Sequence, residues 1–168
     1  MIIRRNNMKV EYSFKLGKLT EEAAKETCTW KYESPYEVYS SWSWEEMIEK
    51  GEPMTNPLER DKNFLGLYDQ NHQILGFAVF SYPKENTTRI GLGLKPDICG
   101  KGIGEYFVNL IINESKKRCS SGNIDLEVLT WNKRAYKVYR KCGFKTVETY
   151  VRKTPTGNSQ FHRMEYKL

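Results

Sequence analysis

The alternation of apolar and polar residues predicts the elements of the first part of the chain. Residues 10–16 alternate Val, Tyr, Phe and Leu with polar residues, as half-buried strands do. Thr20, followed by two glutamates, predicts the N-terminus of a helix that runs toward Trp30. A second short helix is predicted over residues 40–50, and the glycine and prolines after it predict a loop over residues 51–62.

From residue 64 onward the pattern is sharper. Two apolar runs separated by a polar segment predict a hairpin, and a third run predicts another strand. Apolar residues at helical spacing predict a long helix, and a second helix ends at Gly143. The predicted strands are residues 64–68, 74–80, 88–94, 124–128, 146–151 and 161–167, and the helices are residues 103–117 and 135–141. The element order β-α-α-β-β-β-α-β-α-β-β predicts an α/β (α+β layered) domain.

Length and composition predict one globular domain that binds no metal. The 168 residues are 39% hydrophobic and 29% charged, which is enough to bury a core. We expect a single domain over residues 8–168 and a tail over residues 1–7. No apolar run is long enough for a membrane span, and no secretory signal is expected. Four scattered cysteines without C-x-x-C spacing, with two histidines, predict no metal site and reduced thiols in the cytoplasm.

Positive charge is concentrated in the second part of the chain. Residues 1–94 hold 12 Lys and Arg against 14 Asp and Glu, whereas residues 95–168 hold 15 against 7. This asymmetry fits an anionic, phosphate-bearing cofactor, a nucleic acid, or a solvated basic face. The aromatic pattern of an RNA-recognition domain is missing from the sequence, so no nucleic-acid partner is expected.

A glycine cluster lies between a predicted strand and a predicted helix, with the sequence Cys99-Gly100-Lys101-Gly102-Ile103-Gly104. Glycines there let the backbone approach a ligand, and the N–H groups of a helix N-terminus favour phosphate. A P-loop is excluded because Gly102 stands where Ser or Thr is needed. A dinucleotide-binding fingerprint is excluded because Glu105 stands at its last glycine position. A turn without a ligand remains the alternative at this point.

Two blocks of residues carry a resemblance to a known family. In the first, Gly102 and Gly104 have the spacing of two small residues that follow a Gln or Arg position, occupied here by Cys99. The second block contains Leu126, Glu127, Val128, Asn132, Ala135, Tyr139, Gly143 and Phe144. In this order the two blocks resemble the GNAT superfamily of acetyltransferases, well over residues 64–168 and in layout over residues 8–63. The resemblance implies a central, mixed but mostly antiparallel sheet of about seven strands with helices on both faces.

The resemblance also implies that acetyl-CoA is the cosubstrate. The N–H groups of residues 100–105 would hold its pyrophosphate. The main chain near Leu92 and Leu94 would pair with the pantetheine arm, where Gly91 and Gly93 suit a bulged strand. The implied cofactor contacts are Leu92, Leu94, Cys99, Gly100, Lys101, Gly102, Ile103, Gly104, Glu105, Asn132, Ala135 and Tyr139.

Tyr139 and Glu127 are the candidate proton-transfer residues. The resemblance makes Tyr139 the acid near the thioester sulfur, and the alternative is a core tyrosine. Glu127 faces away from Leu126 and Val128 on its strand. If that face opens on the cleft, Glu127 suits the base, acting through water, and otherwise it pairs with a lysine at the sheet surface. Asn132 caps the next helix or hydrogen-bonds near the cofactor.

The acceptor amine is expected to enter from residues 30–62, where aromatic residues and carboxylates suit a cation or a peptide, or pack two short helices. They are Trp30, Tyr32, Tyr36, Tyr39, Trp42, Trp44, Glu33, Glu37, Glu45 and Glu46. The second block looks most like the ribosomal-protein N-terminal alanine acetyltransferases, although residues 152–162 lack the tyrosines expected around a peptide. The acceptor is either a protein N-terminus or a small-molecule amine (polyamine, amino sugar or antibiotic). The alternative to an enzyme is a non-catalytic CoA-binding module. The protein is expected to be a monomer or a homodimer.

Overall fold

The computed structural model describes residues 13–119, 121–154 and 157–168, and these form twelve strands and helices. The strands are β1 (Lys15–Lys18), β2 (Phe64–Tyr68), β3 (Ile74–Lys84), β4 (Thr87–Leu94), β5 (Asn123–Leu129), β6 (Lys145–Thr154) and β7 (Gly157–Lys167). The helices are α1 (Glu21–Cys28), α2 (Trp44–Glu49), α3 (Pro57–Asn63), α4 (Ile103–Arg118) and α5 (Lys133–Lys141). The tail predicted over residues 1–7 lies outside the described residues. Across the described ranges, no helix combines the length and apolar composition needed to cross a bilayer.

Helix α3 corrects the loop that the sequence predicts over residues 51–62. Asn56 caps the helix, because its side chain accepts hydrogen bonds from the N–H groups of Leu58 (2.9 Å) and Glu59 (3.2 Å). Pro57 takes the first helical position, where a missing N–H is tolerated because first-turn N–H groups have no partner within the helix. The proline that suggests a loop is therefore the start of a helix.

The described strands form one sheet in the order β1-β2-β3-β4-β5-β7-β6. Among them β4 and β5 are the parallel neighbours and the rest are antiparallel, so the predicted mixed, mostly antiparallel sheet is confirmed. Strand β3 alternates between two cores. Ala78 and Phe80 pack in the core under α4 and α5, whereas Phe77 and Val79 pack against the core under α1 and α2. Helices therefore lie on both faces, as predicted.

Strands β4 and β5, which both lie wholly within the described residues, pair over three residue pairs. The parallel ladder joins residues 87–89 to residues 123–125 and then stops. Beyond it, β4 continues along β3 up to Leu94, and β5 continues along β7 up to Leu129. Because each strand follows a different neighbour, a gap opens between their C-terminal ends.

An ion pair joins β4 to β5 at the last residue pair before the gap. Arg89 donates to both carboxylate oxygens of Asp125, from Nε at 2.9 Å and from Nη2 at 2.7 Å. Bidentate pairing of this kind is the strongest arrangement that Arg and a carboxylate adopt. Asp125 is 1% exposed, so its charge needs this partner, and Arg163 lies further away at 3.9 Å.

Gly91 and Gly93 lie on β4 beside the gap, but not at a bulge. Strand β4 pairs residue for residue with β3 across both glycines. A Cβ at Gly91 would lie 2.9 Å from Val79 Cγ1, and a Cβ at Gly93 would lie 2.6 Å from Phe77 Cε1. The glycines therefore make room for side chains of β3, which corrects the bulge expected from the sequence.

Replacing Asp125 is expected to loosen β4 from β5. Asp125→Asn keeps the shape of the side chain but removes the bidentate partner of Arg89, and we expect the free energy of unfolding to fall by about 2–4 kcal/mol. Urea denaturation measures this loss. Asp61→Asn is the matched control, because Asp61 pairs with Lys18 at the surface (2.9 Å) and should cost less than about 1 kcal/mol. Equal losses in the two variants would contradict the importance of the Arg89–Asp125 pair.

Candidate active site

The gap between β4 and β5 is a cavity of about 640 Å³. Glu127 lines it together with ten of the twelve predicted cofactor contacts, which are Leu92, Leu94, Cys99, Gly100, Gly102, Gly104, Glu105, Asn132, Ala135 and Tyr139. Of the other two, Ile103 is buried in the core beneath the loop, and Lys101 is exposed. The structure thus brings both blocks of sequence to one place. Within the described part of the chain, no three His, Cys, Asp or Glu side chains are grouped as metal ligands.

The loop before α4 presents the first turn of that helix to the cavity. Gly100 and Gly102 have φ angles of +79° and +84°, in the left-handed region that favours glycine. Gly102 is the N-cap, so it offers no capping side chain to the first-turn N–H groups of this 16-residue helix. These donors and the helix dipole favour an anion. Arg134, Lys137 and Lys141 of α5 line the same cavity and add positive charge.

Cys99 contributes a neutral thiol to this loop. Its Sγ lies 3.6 Å from the carbonyl oxygen of Leu94 and 3.5 Å from that of Lys95, so the thiol is directed to the main chain. Burial raises the pKa of the Cys99 thiol, and the charge of Arg134 acts against that shift. A guanidinium therefore lies near the position where the resemblance expects Gln or Arg, but it comes from α5.

Asn132 fixes the start of α5, the helix that carries Tyr139. Its Oδ1 accepts the N–H of Ala135 at 3.1 Å, so it caps the helix. Tyr139 belongs to the core and to the cavity wall, and its ring packs edge-to-face on Phe144 with centroids 6.0 Å apart. Burial, with a smaller contribution from Tyr39, raises the pKa of Tyr139 well above its usual range. The phenol therefore keeps its proton at neutral pH.

Glu127 is held by two arginines, and a phenol lies near it. Arg89 Nη1 donates to one carboxylate oxygen at 2.9 Å, and Arg152 Nη2 lies 3.1 Å from the other. The Tyr150 hydroxyl lies near enough to this carboxylate for Glu127 to contribute to its pKa. From the sequence, a lysine is the alternative partner of Glu127, whereas its partners in the structure are arginines. Burial first, and then the neighbouring carboxylate of Glu127, raise the pKa of Tyr150 to about 12.

Arg89, Arg152 and Tyr150 are residues of this site that the sequence did not single out. They reach Glu127 because β4, β5, β7 and β6 are neighbours in the sheet, and alternate positions of each strand face the same side. Tyr150 and Arg152 are two positions apart at the end of a predicted strand, and the alternation of faces along a strand puts them on one side. The strand order that brings this face to Glu127 cannot be read from the alternation.

The aromatic residues of the segment 30–62 are divided between the cavity and the core. Tyr32, Tyr36 and Tyr39 line the cavity. Trp131, which follows β5, packs against Tyr36 and Tyr39 with ring centroids 5.5 Å and 6.1 Å away. Trp30, by contrast, is buried in the core under α1 and α2. Part of the segment therefore forms a wall of the cavity, and part of it packs the fold.

Comparison with known proteins identifies a family pattern in the sequence. The pattern of the acetyltransferase (GNAT) family matches residues 22–144. A search of curated proteins finds no match. Residues 22–144 contain the glycine loop, both strands that border the cavity, and Tyr139, so the matched region includes most of the site.

Solved structures share the fold at low sequence identity. A chimera of the Vibrio cholerae spermidine N-acetyltransferase and hSSAT superposes with a TM-score of 0.72 at 18% identity, covering 92% of this chain and 96% of that chain. A GNAT-family acetyltransferase from Bacillus anthracis gives 0.71 at 15% identity, covering 94% and 95%. A ribosomal-protein alanine acetyltransferase from Vibrio fischeri gives 0.66 at 14% identity, covering 94% of each chain.

Removing the charge of Glu127 is expected to lower the pKa of Tyr150. A carboxylate disfavours the neighbouring phenolate, so its loss in Glu127→Gln favours ionisation of the phenol. With a pKa of about 12, roughly a tenth of Tyr150 is ionised at pH 11, and this fraction should rise in the variant. NMR titration of isotope-labelled tyrosines measures the fraction, with the exposed Tyr82 as internal control. An unchanged titration of Tyr150 would show that the contact with Glu127 is absent in solution.

Proposed function

The chain belongs to the acetyltransferase (GNAT) family, whose enzymes use acetyl-CoA to acetylate amines, and we propose that it acetylates a primary amine by direct transfer within a ternary complex. The observation that carries the proposal is one cavity that contains the glycine loop, the open main chain of β4, and Tyr139. The glycine loop suits an anion, the main chain of β4 suits an extended ligand, and Tyr139 suits a proton transfer.

The residues of the cavity fit acetyl-CoA as cosubstrate, which supplies the activated acetyl group. We propose that the N–H groups of residues 100–105 hold the pyrophosphate, helped by the three cations of α5. In the described ranges, no strand pairs with β4 beyond Arg89 on the side of the gap. We propose that the main chain at Leu92 and the N–H of Leu94 pair with the pantetheine arm, as in the addition of a strand to a sheet edge. The carbonyl of Leu94 already accepts a hydrogen bond from Tyr32 Oη at 2.8 Å.

Tyr139 is the proposed acid. Transfer breaks the bond between the acetyl carbon and sulfur, and the departing thiolate needs a proton. The raised pKa of Tyr139 keeps the phenol protonated until that thiolate forms. Its burial in the cavity wall, at 9% exposure, also limits competition from water for the same proton. These properties support an acid over a residue that serves packing alone.

Glu127 is the proposed base, acting through water. Arg89 and Arg152 occupy its two carboxylate oxygens, so we propose that a water molecule, rather than the carboxylate, contacts the amine. The same ion pairs suggest a second role, because the two guanidinium groups share Glu127 as a partner. In that role the Glu127 carboxylate would hold the two guanidinium groups in place and would not accept a proton. The two roles differ in their dependence on pH.

The acceptor is proposed to reach the cavity past the wall formed by Tyr36, Tyr39 and Trp131. Trp131 lines a second groove of about 500 Å³, together with Glu37 and Ser159. A second groove next to the aromatic wall supports a peptide N-terminus, which is the acceptor we propose first. Glu37 beside Trp131 supports a small cationic polyamine as the second candidate. Proteins named for each of these acceptors share the fold, so the fold does not distinguish the two.

We propose that the enzyme works in the cytoplasm, as a monomer or homodimer, without a nucleic-acid partner. Its four cysteines, all within the described residues, are free thiols, which supports a reducing compartment. Part of the positive charge of residues 95–168 borders the cavity, on exposed side chains of α5. That placement supports a phosphate-bearing cosubstrate over a nucleic acid.

Acetyl-CoA turnover with a panel of amines tests the proposed function. We expect CoA release with peptide N-termini or, if these are not acetylated, with polyamines.

Gly104→Trp should abolish acetyl-CoA binding in calorimetry, because the indole would fill the space at the first turn of α4. Gly104→Ala is the matched control, since its Cβ would lie 3.5 Å from Val138, an ordinary contact, and should weaken binding only slightly. Unchanged acetyl-CoA affinity in folded Gly104→Trp would rule out the loop as the binding site.

The pH dependence of turnover tests the two proton-transfer residues. Tyr139→Phe should lower kcat by about 10²–10⁴-fold with acetyl-CoA affinity retained. An acid acts while protonated, so in the parent enzyme the contribution of Tyr139 persists through neutral pH. It is lost only as pH rises through the raised pKa of Tyr139.

Glu127→Gln should lower kcat/KM most at low pH, where more of the amine needs deprotonation.

Two results would contradict these roles. Full turnover in Tyr139→Phe at every pH would make Tyr139 a packing residue. A Glu127→Gln profile that lies below the parent by the same factor at every pH would remove Glu127 as the base and leave its role as partner of Arg89 and Arg152.

A further inference from the structure

A second tyrosine hydroxyl reaches the cavity from the 3-10 turn Glu37–Tyr39. Tyr39 Oη lies 2.9 Å from Asn132 Nδ2, although the two residues are 93 positions apart in the chain. Asn132 is 6% exposed, whereas Tyr39 as a whole is 41% exposed. The hydroxyl therefore points inward, although a large part of the Tyr39 side chain is exposed.

The direction of this hydrogen bond is fixed by helix α5. A backbone N–H can only donate, so the Asn132 atom that receives the N–H of Ala135 at 3.1 Å is the oxygen Oδ1. The other atom is therefore the amide nitrogen, which can only donate, and Tyr39 Oη must accept. The proton of Tyr39 then points away from Asn132. Within the described residues, no hydrogen bond of the structure takes up this proton.

Tyr39 and Tyr139 face the same cavity. The two phenols are near enough that Tyr39 contributes to the raised pKa of Tyr139. Burial raises the pKa of Tyr39 as well, with a contribution from Tyr36, against the hydrogen bond from Asn132 and the charge of Arg134. Tyr39 is therefore a neutral phenol at neutral pH, with its proton available to a ligand in the cavity.

We propose that Tyr39 is a second catalytic residue, which donates a hydrogen bond to the acetyl oxygen during transfer. The proposal rests on the proposed function. The amine forms a bond to the acetyl carbon, and the carbonyl electron pair moves to the oxygen, which Tyr39 hydrogen-bonds without losing its proton. When the carbonyl re-forms, the carbon–sulfur bond breaks. The sulfur takes the electron pair of the broken bond and the proton of Tyr139. The ammonium proton has passed through water to Glu127 before the attack. The proton that the bonded nitrogen then releases goes to solvent, from which the Tyr139 phenolate regains a proton.

Two donors are useful here because oxygen and sulfur both gain negative charge, at different steps. The oxygen and the sulfur are bonded to the same carbon. Two phenols that face one cavity can therefore each donate to one of these atoms. A donor that is oriented before the charge develops costs no reorganisation at the moment of reaction. Asn132 supplies this orientation, which makes it a positioning residue and Tyr39 the catalytic residue.

A double-variant cycle tests the inference. Tyr39→Phe should lower kcat by about 10²–10³-fold, and the affinity for CoA, which lacks the acetyl oxygen, should not change. Asn132→Asp keeps a good N-cap but replaces the amide donor by an acceptor, so it draws the Tyr39 proton away from the cavity. Adding Tyr39→Phe to Asn132→Asp should then cost little further rate. Tyr82→Phe, an exposed tyrosine of β3, is the control for loss of a phenol.

The outcomes separate this inference from the proposed function. Independent, multiplying losses in the double variant would overturn it, as would an unchanged kcat in Tyr39→Phe. A loss of CoA affinity without loss of kcat would overturn it too, because Tyr39 would then bind the cosubstrate alone. If the parent releases no CoA with any amine, the proposed function fails instead. Melting temperatures of all variants identify any loss caused by unfolding.

Discussion

Arg89 and Asp125 form the last pair that joins β4 to β5, and the site depends on the end of pairing at this point. Each strand continues along its own antiparallel neighbour, so the two strands diverge instead of completing a parallel ladder. The result is an open main-chain edge in the middle of the sheet. An edge at the rim of a sheet invites aggregation, whereas an edge inside a cavity is a binding surface for one extended ligand.

The same guanidinium connects the fold to the chemistry. Arg89 pairs with the buried Asp125 through Nε and Nη2, and with Glu127 through Nη1. Glu127 continues the network to Arg152 on β6, which stacks its guanidinium over Phe161 at 4.4 Å. A change at Arg89 would therefore affect both the joint between the strands and the proposed base. For that reason the tests of stability and of proton transfer use different residues, Asp125 and Glu127.

Local signals in the sequence predict most of the elements, and the family resemblance selects residues that the structure brings to one cavity. Strand alternation, the glycine loop and the spacing from Asn132 to Tyr139 are all short-range patterns, and the structure brings them to one cavity. Helix α3 is not predicted, because Pro57 is typical of a loop. Asn56 caps the helix, and Pro57 is its first residue. The hydrogen bond from Asn132 to Tyr39 was also missed. It joins residues 93 positions apart, and no periodicity in one sequence encodes such a contact.

Backbone hydrogen exchange in the presence of acetyl-CoA tests the central claim most directly, namely that the gap between β4 and β5 binds this cosubstrate. If the claim is right, saturating acetyl-CoA slows exchange at residues 91–94, where pantetheine would pair with β4, and at residues 100–105, where pyrophosphate would bind. The outer strands β1 and β6 should exchange at unchanged rates. Unchanged exchange at residues 91–94 and 100–105, or protection confined to other segments, would contradict it.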